Sequence, residues 1–533
     1  MENPVDNTII ESSSGVVLKR EEKIKAFLKS RDNLLLMIIL GFTIIFRLYY
    51  FFKLGAQPIW WDEGDYLSLA KIWAFDLPRP EWMTHFLGMR PLFLPLLWAG
   101  MFKIGFGEIS LRFFTELIPS VGAVLVIFLL GKEMYGRKVG WIASIMMSSY
   151  WVWNFYTFRL LTDIPAVFLG LLSFYYFFAW YDKRGKASGL YLSLLFGVLA
   201  FTVRFPYALV LVTCAFYLLI TRKLKILKDK TLWKGLVLLI LLLSPYLIYL
   251  ISINFAPLQF YFGDSAASLK NPIQWNLFPE TYGFLHSFWA ITGIIGLLTF
   301  VSLFLGLDVL WKQKDKSLNP NLLLFLWLFV HFLFYVVIIR AANDRWILMA
   351  TTGLFLVSSR GIIIVYNLIK PYSKEVALGV VLIFVIGGFY QNIIHSTQLI
   401  DSKIGSYGAV KDAGLWLKGN TPDDSRVITA SIVQNMYYSE RLAYDYNHEL
   451  PDECFDGVTF TVRSEYCQKL HEELFDKKVM LIDPDYFIIS VFEPAFTPDW
   501  AYSYPQRHNL TFVKAFPDSS SGSQPLLIIY KFS

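Results

Sequence analysis

The sequence predicts a polytopic α-helical membrane protein with a small soluble α/β domain after its last span. Three observations predict it. Of the 533 residues 55% are hydrophobic and 18% aromatic, and the mean hydropathy is +0.47, well beyond what a soluble core requires. Apolar runs of bilayer-crossing length, roughly 17–25 residues each, recur from Leu34 to about Ile394 and not after it. Lys and Arg, finally, crowd into alternate connecting loops.

The first 33 residues read as a cytoplasmic tail. Ser12, Ser13 and Ser14 are followed by Lys19, Arg20, Lys23, Lys25 and Lys29, too long and polar a lead for a cleaved signal peptide, so the first apolar run is expected to be retained. Spans are expected at 34–52, 113–131, 139–157, 164–180, 189–204, 206–221, 234–254, 284–310, 322–339, 346–366 and 376–395, which makes 11. The segment 91–106, broken by Pro91, Pro95 and Lys103, decides the topology. Placed in the outer interface, it leaves cytoplasmic loops carrying Lys132, Arg137 and Lys138; Lys183, Arg184 and Lys186; Arg222 to Lys234; Lys312, Lys314 and Lys316; and Lys370 and Lys374. Counted as a span, it would put those clusters outside, against the positive-inside bias. Residues 53–112 are therefore expected to form a first external loop, and 34–395 a transmembrane domain. The net charge of +6 follows from this loop bias and calls for no nucleic-acid partner.

Residues 401–533 change character. "VKDAGLWLKGN" reads as a helix, Pro422 as a turn, and 426–431, "DYFIIS" and "PLLIIYKF" as strands of an external α/β domain. Cys454 and Cys467, thirteen residues apart, form a disulfide or remain two free thiols. Cys214, inside a span, reads as core. Asn509 in "NLT" is a chance match to a glycosylation acceptor.

The expected outer face holds Asp62, Glu63, Asp65, His85, Arg90, Glu108, Arg112, Arg159, Asp163, Arg204, Lys270, His286, Arg340, Asp344 and Arg345. Taken singly, each is as well explained by a snorkelling arginine or a helix-capping acid. As a set, carboxylates on loop 1 and before the fourth span face arginines on later outer loops. Charges at a membrane edge are costly unless paired or facing water, which makes such a set a candidate site. A lipid phosphate bearing a sugar suits it. Guanidinium forks match phosphate oxygens, and a carboxylate accepts the proton of an attacking hydroxyl. No cofactor is required, because arginine can stabilise the departing phosphate; a divalent metal at the carboxylates is compatible with the residue types but not predicted.

Specific stretches between Trp61 and about Phe178 carry a resemblance. They are "WWDEGDYLSLAK" with Asp62, Glu63 and Tyr66; "MRPLFLPLLW"; "FGEISLRFF" with Gly107, Glu108 and Arg112; "GKEMYGRKVGWIAS"; and "FRLLTDIP" with Arg159, Asp163 and Pro165. Arg345 in "NDRWIL" extends the set. In this order they resemble the polyprenyl-phosphate-sugar-dependent membrane glycosyltransferases of the C-type fold, the superfamily of protein O-mannosyltransferases, aminoarabinose transferases and RgtA-like domains. Many relatives carry a histidine or a second proline where this chain has Arg90. "WWDEG" is also similar to the WWD-G signature of oligosaccharyltransferases, but theirs follows the spans, and the likeness is read as coincidence.

The resemblance implies the C-type fold and a polyprenyl- or dolichyl-phosphate-linked sugar donor, mannose being the commonest. It implies a hydroxyl acceptor on glycan, lipid or protein, and chemistry at the external face, of the plasma membrane if the source is prokaryotic. Asp62 would be the general base and Glu63 an orienting group or a solvated neighbour. Tyr66, Arg159 and Asp163 would contact substrate, although Asp163 reads equally as a cap before Pro165. Arg345 would grip the phosphate, with Arg204 and Arg340 in support. A single base suggests inversion, while retention would need a second carboxylate as nucleophile. Trp60 and Trp61 are interface-belt aromatics or a stacking platform for a sugar. The rival classes are a multispan transporter or lipid flippase, which would show midplane charges and internal repeats that this sequence lacks, and an oligosaccharyltransferase-like ligase.

Overall fold

Helix α1, Arg31–Leu54, begins the computed structural model, which describes residues 31–55, 57–79, 90–181, 186–255, 273, 287–305, 318–341, 343–446, 454, 464–517 and 525–532. His85, Lys270, His286 and the basic residues Lys183, Arg184, Lys312, Lys314 and Lys316 lie outside the described residues. After α1 come α2, Trp61–Phe75, and α3, Phe93–Lys103. At about 1.5 Å per residue, the 11 residues of α3 cannot cross a hydrocarbon core about 30 Å thick. The segment 91–106 is thus a short surface helix lying on α2, with Leu96 and Ile104 exposed. Helix α4, Glu108–Tyr135, runs on through a π-helical stretch at Arg112–Leu117.

Among the described residues seven helices are long and apolar enough to cross a membrane: Asn33–Leu54 within α1, α4, Phe205–Lys228, Lys230–Ser252, Pro320–Ile339, Leu348–Ile369 and Lys374–Lys403. This is a multi-pass membrane protein. The count of 11 is not established, because the other four expected spans fall on shorter helices. Asp163–Ala179 and Ala187–Val203 have 17 residues each, at the lower limit for a span. The apolar helix at 284–310 is described only over Ser287–Leu305. The run 139–157 is not one helix: extended backbone at Tyr150 (ψ 122°) divides it into Arg137–Ser149 and Trp151–Tyr156. A break at membrane depth needs partners for the backbone groups it frees. Asn392 Oδ1 accepts from the Trp151 N–H at 3.2 Å, and the Asn154 amide donates to the Ser149 carbonyl at 3.2 Å.

The helices enclose one large core whose fully buried side chains include Trp98, Trp153, Trp289 and Trp327. The C-terminal part is a five-stranded mixed sheet of β1 (Arg426–Ile428), β2 (Leu442–Tyr444), β3 (Tyr486–Ser490), β4 (Thr511–Pro517) and β5 (Pro525–Lys531), in the order β2-β1-β3-β5-β4. β1 runs parallel to β2 and β3; β5 runs antiparallel to β3 and β4. Helices Gly408–Asn420 and Glu465–Ile482 accompany it. Cys454 and Cys467 are joined in a disulfide.

This sheet domain is fastened to loop 1. Its helix Ile432–Ser439 crosses α2 at Gly64, where an added Cβ would lie 2.9 Å from Val433 Cγ2 and 3.1 Å from the Val433 carbonyl carbon, so only glycine lets the two backbones approach. Ser68 donates to the Val433 carbonyl at 3.0 Å, and Lys71 binds the Tyr437 carbonyl at 2.9 Å and Glu440 at 2.8 Å. Tyr438 accepts from the Ile59 N–H at 2.9 Å, and Tyr437 donates to Glu108 at 3.0 Å. Helix α2 is buried nearly all round for this reason: the transmembrane body lies on one side and the sheet domain on the other.

Candidate active site

The site begins at the first turn of α2. Asp62 and Glu63 both sit where the helix dipole favours acids, yet adjacent helical positions lie about 100° apart around the axis, so the two carboxylates part company. Glu63 turns inward and is fully buried. Its Oε1 accepts from the Leu160 N–H at 2.7 Å; its Oε2 accepts from the Trp60 N–H at 2.8 Å and from Arg159 Nη1 at 3.3 Å. Both oxygens are committed to the protein, and Glu63 lines neither cavity described below. This burial excludes a solvated neighbour, and in the structure Glu63 caps α2 and anchors the turn before Asp163–Ala179.

Arg159 is likewise turned into the protein. Its guanidinium is buried under the Trp60 ring, 3.8 Å from the centroid, and donates to the Pro58 carbonyl at 3.2 Å as well as to Glu63. Arg112 extends the clasp, donating to the carbonyls of Gly55 at 2.9 Å and Gln57 at 3.2 Å. These contacts fix the start of loop 1.

Asp62 faces the other way, into open space. It accepts a hydrogen bond from Arg345 Nη2 and lies 3.9 Å from Arg90 Nη2. Burial alone would raise its carboxyl, but the guanidiniums of Arg345 and Arg90 outweigh that and hold it below the usual carboxylate range. Asp65, one turn on and more deeply buried, accepts from Arg90 Nη2 at 3.1 Å. There burial wins over Arg90 and, reinforced by the charge of Asp62, pushes the carboxyl up to about 7.

Two cavities meet at Asp62, Leu161 and Arg345. The first, of about 250 Å³, presents Asp62, Tyr66 and three arginines, Arg90, Arg204 and Arg345, against an apolar wall of Phe205, Pro206, Phe334, Ile339 and Trp346. Arg204 is held by Asp163, whose Oδ2 it meets at 3.3 Å, and by Thr162 Oγ1 at 3.0 Å. Asp163 is itself fully buried and absent from the lining, so it is placed to aim Arg204 rather than to touch a ligand. Arg340 has positive φ (54°) at the end of the Pro320–Ile339 span, gives Nε to the Val337 carbonyl at 3.2 Å and is absent from both cavities. The second cavity, of about 370 Å³, is lined on its far side by Trp60, Trp61, Tyr156, Asn343, Lys403, Ser406 and Tyr407.

Of the eight residues expected at the site, the structure brings Asp62, Tyr66, Arg204 and Arg345 together around one cavity and places Glu63, Arg159, Asp163 and Arg340 outside its lining. Arg90, expected on the outer face and noted as a departure from the family pattern but given no role, lines the cavity. A signal existed for it: a lone arginine directly before Pro91 at an apolar surface helix.

Comparison with known proteins bears on this arrangement. Residues 89–249 match the model of the dolichyl-phosphate-mannose-protein mannosyltransferase family. Among solved structures, ArnT from Cupriavidus metallidurans bound to undecaprenyl phosphate superposes with a TM-score of 0.60 at 11% identity, over 93% of this chain and 97% of ArnT. The chain has the C-type fold. The oligosaccharyltransferase of Archaeoglobus fulgidus shares it, with a TM-score of 0.58 at 14% identity over 87% of this chain and 70% of that one. An AglB complex from the same organism, holding an inhibitory peptide and a dolichol-phosphate, gives 0.53 at 14%. No curated protein matches the chain by sequence.

Proposed function

We propose that this protein is a membrane glycosyltransferase that moves a sugar from a polyprenyl or dolichyl phosphate to a hydroxyl acceptor at the external face. The observation that carries the reading is the first cavity, in which one carboxylate and three guanidiniums face an apolar wall. The arginines suit a phosphate, the apolar wall suits the first isoprene units, and Asp62 stands with Leu161 and Arg345 at the boundary shared with the second cavity. The match to the mannosyltransferase model and the fold shared with ArnT and AglB, whose solved structures hold undecaprenyl phosphate and dolichol-phosphate respectively, support the same donor class.

In this scheme Arg345, Arg204 and Arg90 grip the donor phosphate, each as a fork that stays charged at any relevant pH. The acceptor oxygen attacks the anomeric carbon, the bond from that carbon to the phosphate oxygen breaks, and the hydroxyl proton passes to Asp62. The lipid phosphate departs as an anion stabilised by the same arginines, so the scheme needs no metal. One displacement with one carboxylate inverts the anomeric centre. Glu63, Arg159 and Asp163 act as positioning residues. The test is transfer by purified protein from a panel of lipid-phosphate sugars, mannose first, with mass spectrometry of the product. Failure with every donor would overturn the reading.

A further inference from the structure

We propose that the second cavity is the acceptor site and that the acceptor is a saccharide, seated against the aromatic side chains and delivering one hydroxyl to Asp62. This rests on the donor reading of the first cavity and goes beyond it.

The two cavities differ in chemistry. The first combines three arginines with a mostly apolar wall; the second shares Arg345, adds Lys403, and sets four aromatic rings, Trp60, Trp61, Tyr156 and Tyr407, beside an amide at Asn343 and a hydroxyl at Ser406. Its volume of about 370 Å³ is in the range, about 300–1,000 Å³, in which small-molecule sites fall. A pyranose ring has an apolar C–H face that packs on an aromatic ring and an edge of hydroxyls that needs amide and hydroxyl partners. A lipid tail would set hydrocarbon against the polar side chains of Asn343, Lys403 and Ser406.

Two of the rings, Trp61 and Tyr407, are held in advance by the sheet domain. Trp61 stacks on Phe496 with centroids 5.5 Å apart and planes 22° from parallel. Tyr407 stacks on Phe492 at 5.3 Å and 28°, and its hydroxyl donates to Glu493. Trp60 carries the Arg159 guanidinium over its ring and meets Phe155 at a tilted angle, both outside the sheet domain. A rigid aromatic wall loses little conformational freedom when a ligand stacks on it. The segment Phe492–Phe496 therefore has a function in this proposal: it sets the platform, which accounts for a soluble domain fastened so firmly to loop 1.

The experiment has two readouts. Saturation-transfer NMR on the full-length protein in detergent uses a panel of methyl hexopyranosides and short oligosaccharides, with short serine- and threonine-containing peptides and a free fatty alcohol as the rival classes. Transfer assays then measure acceptor KM and donor KM for wild type, Trp61→Leu, Trp61→Phe and Tyr407→Leu. The proposal expects sugar signals competed among the saccharides only. It also expects acceptor KM about tenfold or more higher in Trp61→Leu, a much smaller change in donor KM, and recovery in Trp61→Phe. Saturation by peptides or the alcohol instead of sugars, or an acceptor KM unmoved in a Trp61→Leu protein that elutes as a folded species, would overturn it while leaving the donor reading intact. Loss of transfer with every donor would instead overturn the donor reading.

Discussion

Arg345 and Asp62, 283 residues apart in the chain, share a hydrogen bond at the point where the two cavities meet. The pair keeps a half-buried carboxylate and a half-buried guanidinium compensated while the cavity holds no other anion. A phosphate in the first cavity competes for the same guanidinium. Sharing Arg345 with a phosphate would weaken one of the two guanidinium contacts, with Arg345 and Arg90, that depress the Asp62 carboxyl. Replacing Asp62 with Asn removes the base and keeps the size and a hydrogen-bonding oxygen. Transfer should fall by about 10² or more, with donor Kd close to wild type. A turnover number unchanged in Asp62→Asn would remove this residue from the mechanism.

Arg345→Ala should act on the donor. Removing one charged partner of a buried phosphate weakens binding by roughly 2–5 kcal/mol, or about thirtyfold and more in Kd. Arg345→Lys should recover only part of it, since an ammonium cannot form the two parallel bonds of a guanidinium fork. Titration with a lipid-phosphate sugar, read by tryptophan fluorescence or calorimetry, measures both. Equal affinity in all three proteins would exclude Arg345 from the donor site.

Glu63→Ala should damage folding before it damages chemistry. It strands the Arg159 guanidinium in the interior and leaves the N–H groups of Leu160 and Trp60 without their acceptor. Breaking a buried pair by removing one partner costs about 3–5 kcal/mol. The expected result is a lowered thermal midpoint in detergent and a smaller monodisperse fraction on gel filtration. A Glu63→Ala protein as heat-resistant as wild type but inactive would restore Glu63 to the catalytic machinery.

The contrast between Asp62 and Glu63 marks the limit of reading this chain from sequence. Seven of the eleven expected spans, the soluble domain, and the strands at "DYFIIS" and "PLLIIYKF" follow from hydropathy and β-rich composition, which are local properties. Direction is not local. Two adjacent acids look alike in a loop, but once Trp61–Phe75 is a helix they diverge, one to a cavity and one to the core. Tyr407 and Asn343 carried no signal, because they gain meaning only when the sheet domain lands on loop 1. The strand Leu442–Tyr444, three residues long, is too short for alternation to register. The break at Tyr150 was hidden because its partner, Asn392, lies 241 residues from Trp151.

Asp65 gives the site a pH dependence. Its carboxyl rises from the ordinary 3.8 to about 7 in the folded protein, burial being the main cause. A raised carboxyl favours the protonated folded state, so its contribution to stability is fully present below about pH 3.8 and is lost as pH climbs to about 7, above which it changes no further. Asp62, shifted the other way, contributes stability that is lost only as pH falls below the ordinary value, so the two windows do not overlap. Asp65→Asn should therefore flatten the dependence of thermal midpoint on pH between about 4 and 7. Parallel curves for wild type and Asp65→Asn over that range would show that Asp65 is not raised.

The orientation can be tested with cysteines, because the native ones interfere little: Cys214 is buried and Cys454 and Cys467 are bonded to each other. Ser68 on loop 1 is a poor reporter, since it is buried beneath Val433. Met480, 80% exposed on the sheet domain, and Tyr372, 91% exposed in the turn between Leu348–Ile369 and Lys374–Lys403, are better placed. The basic residues Lys370 and Lys374 flank Tyr372 and argue for a cytoplasmic turn, and one further span separates that turn from the sheet domain. In intact cells a membrane-impermeant maleimide should label Met480→Cys and spare Tyr372→Cys, with both labelled after permeabilisation. The reverse pattern would put Asp62 and both cavities on the cytoplasmic side, because α2 and the sheet domain are fastened together by Ser68, Lys71 and Tyr438.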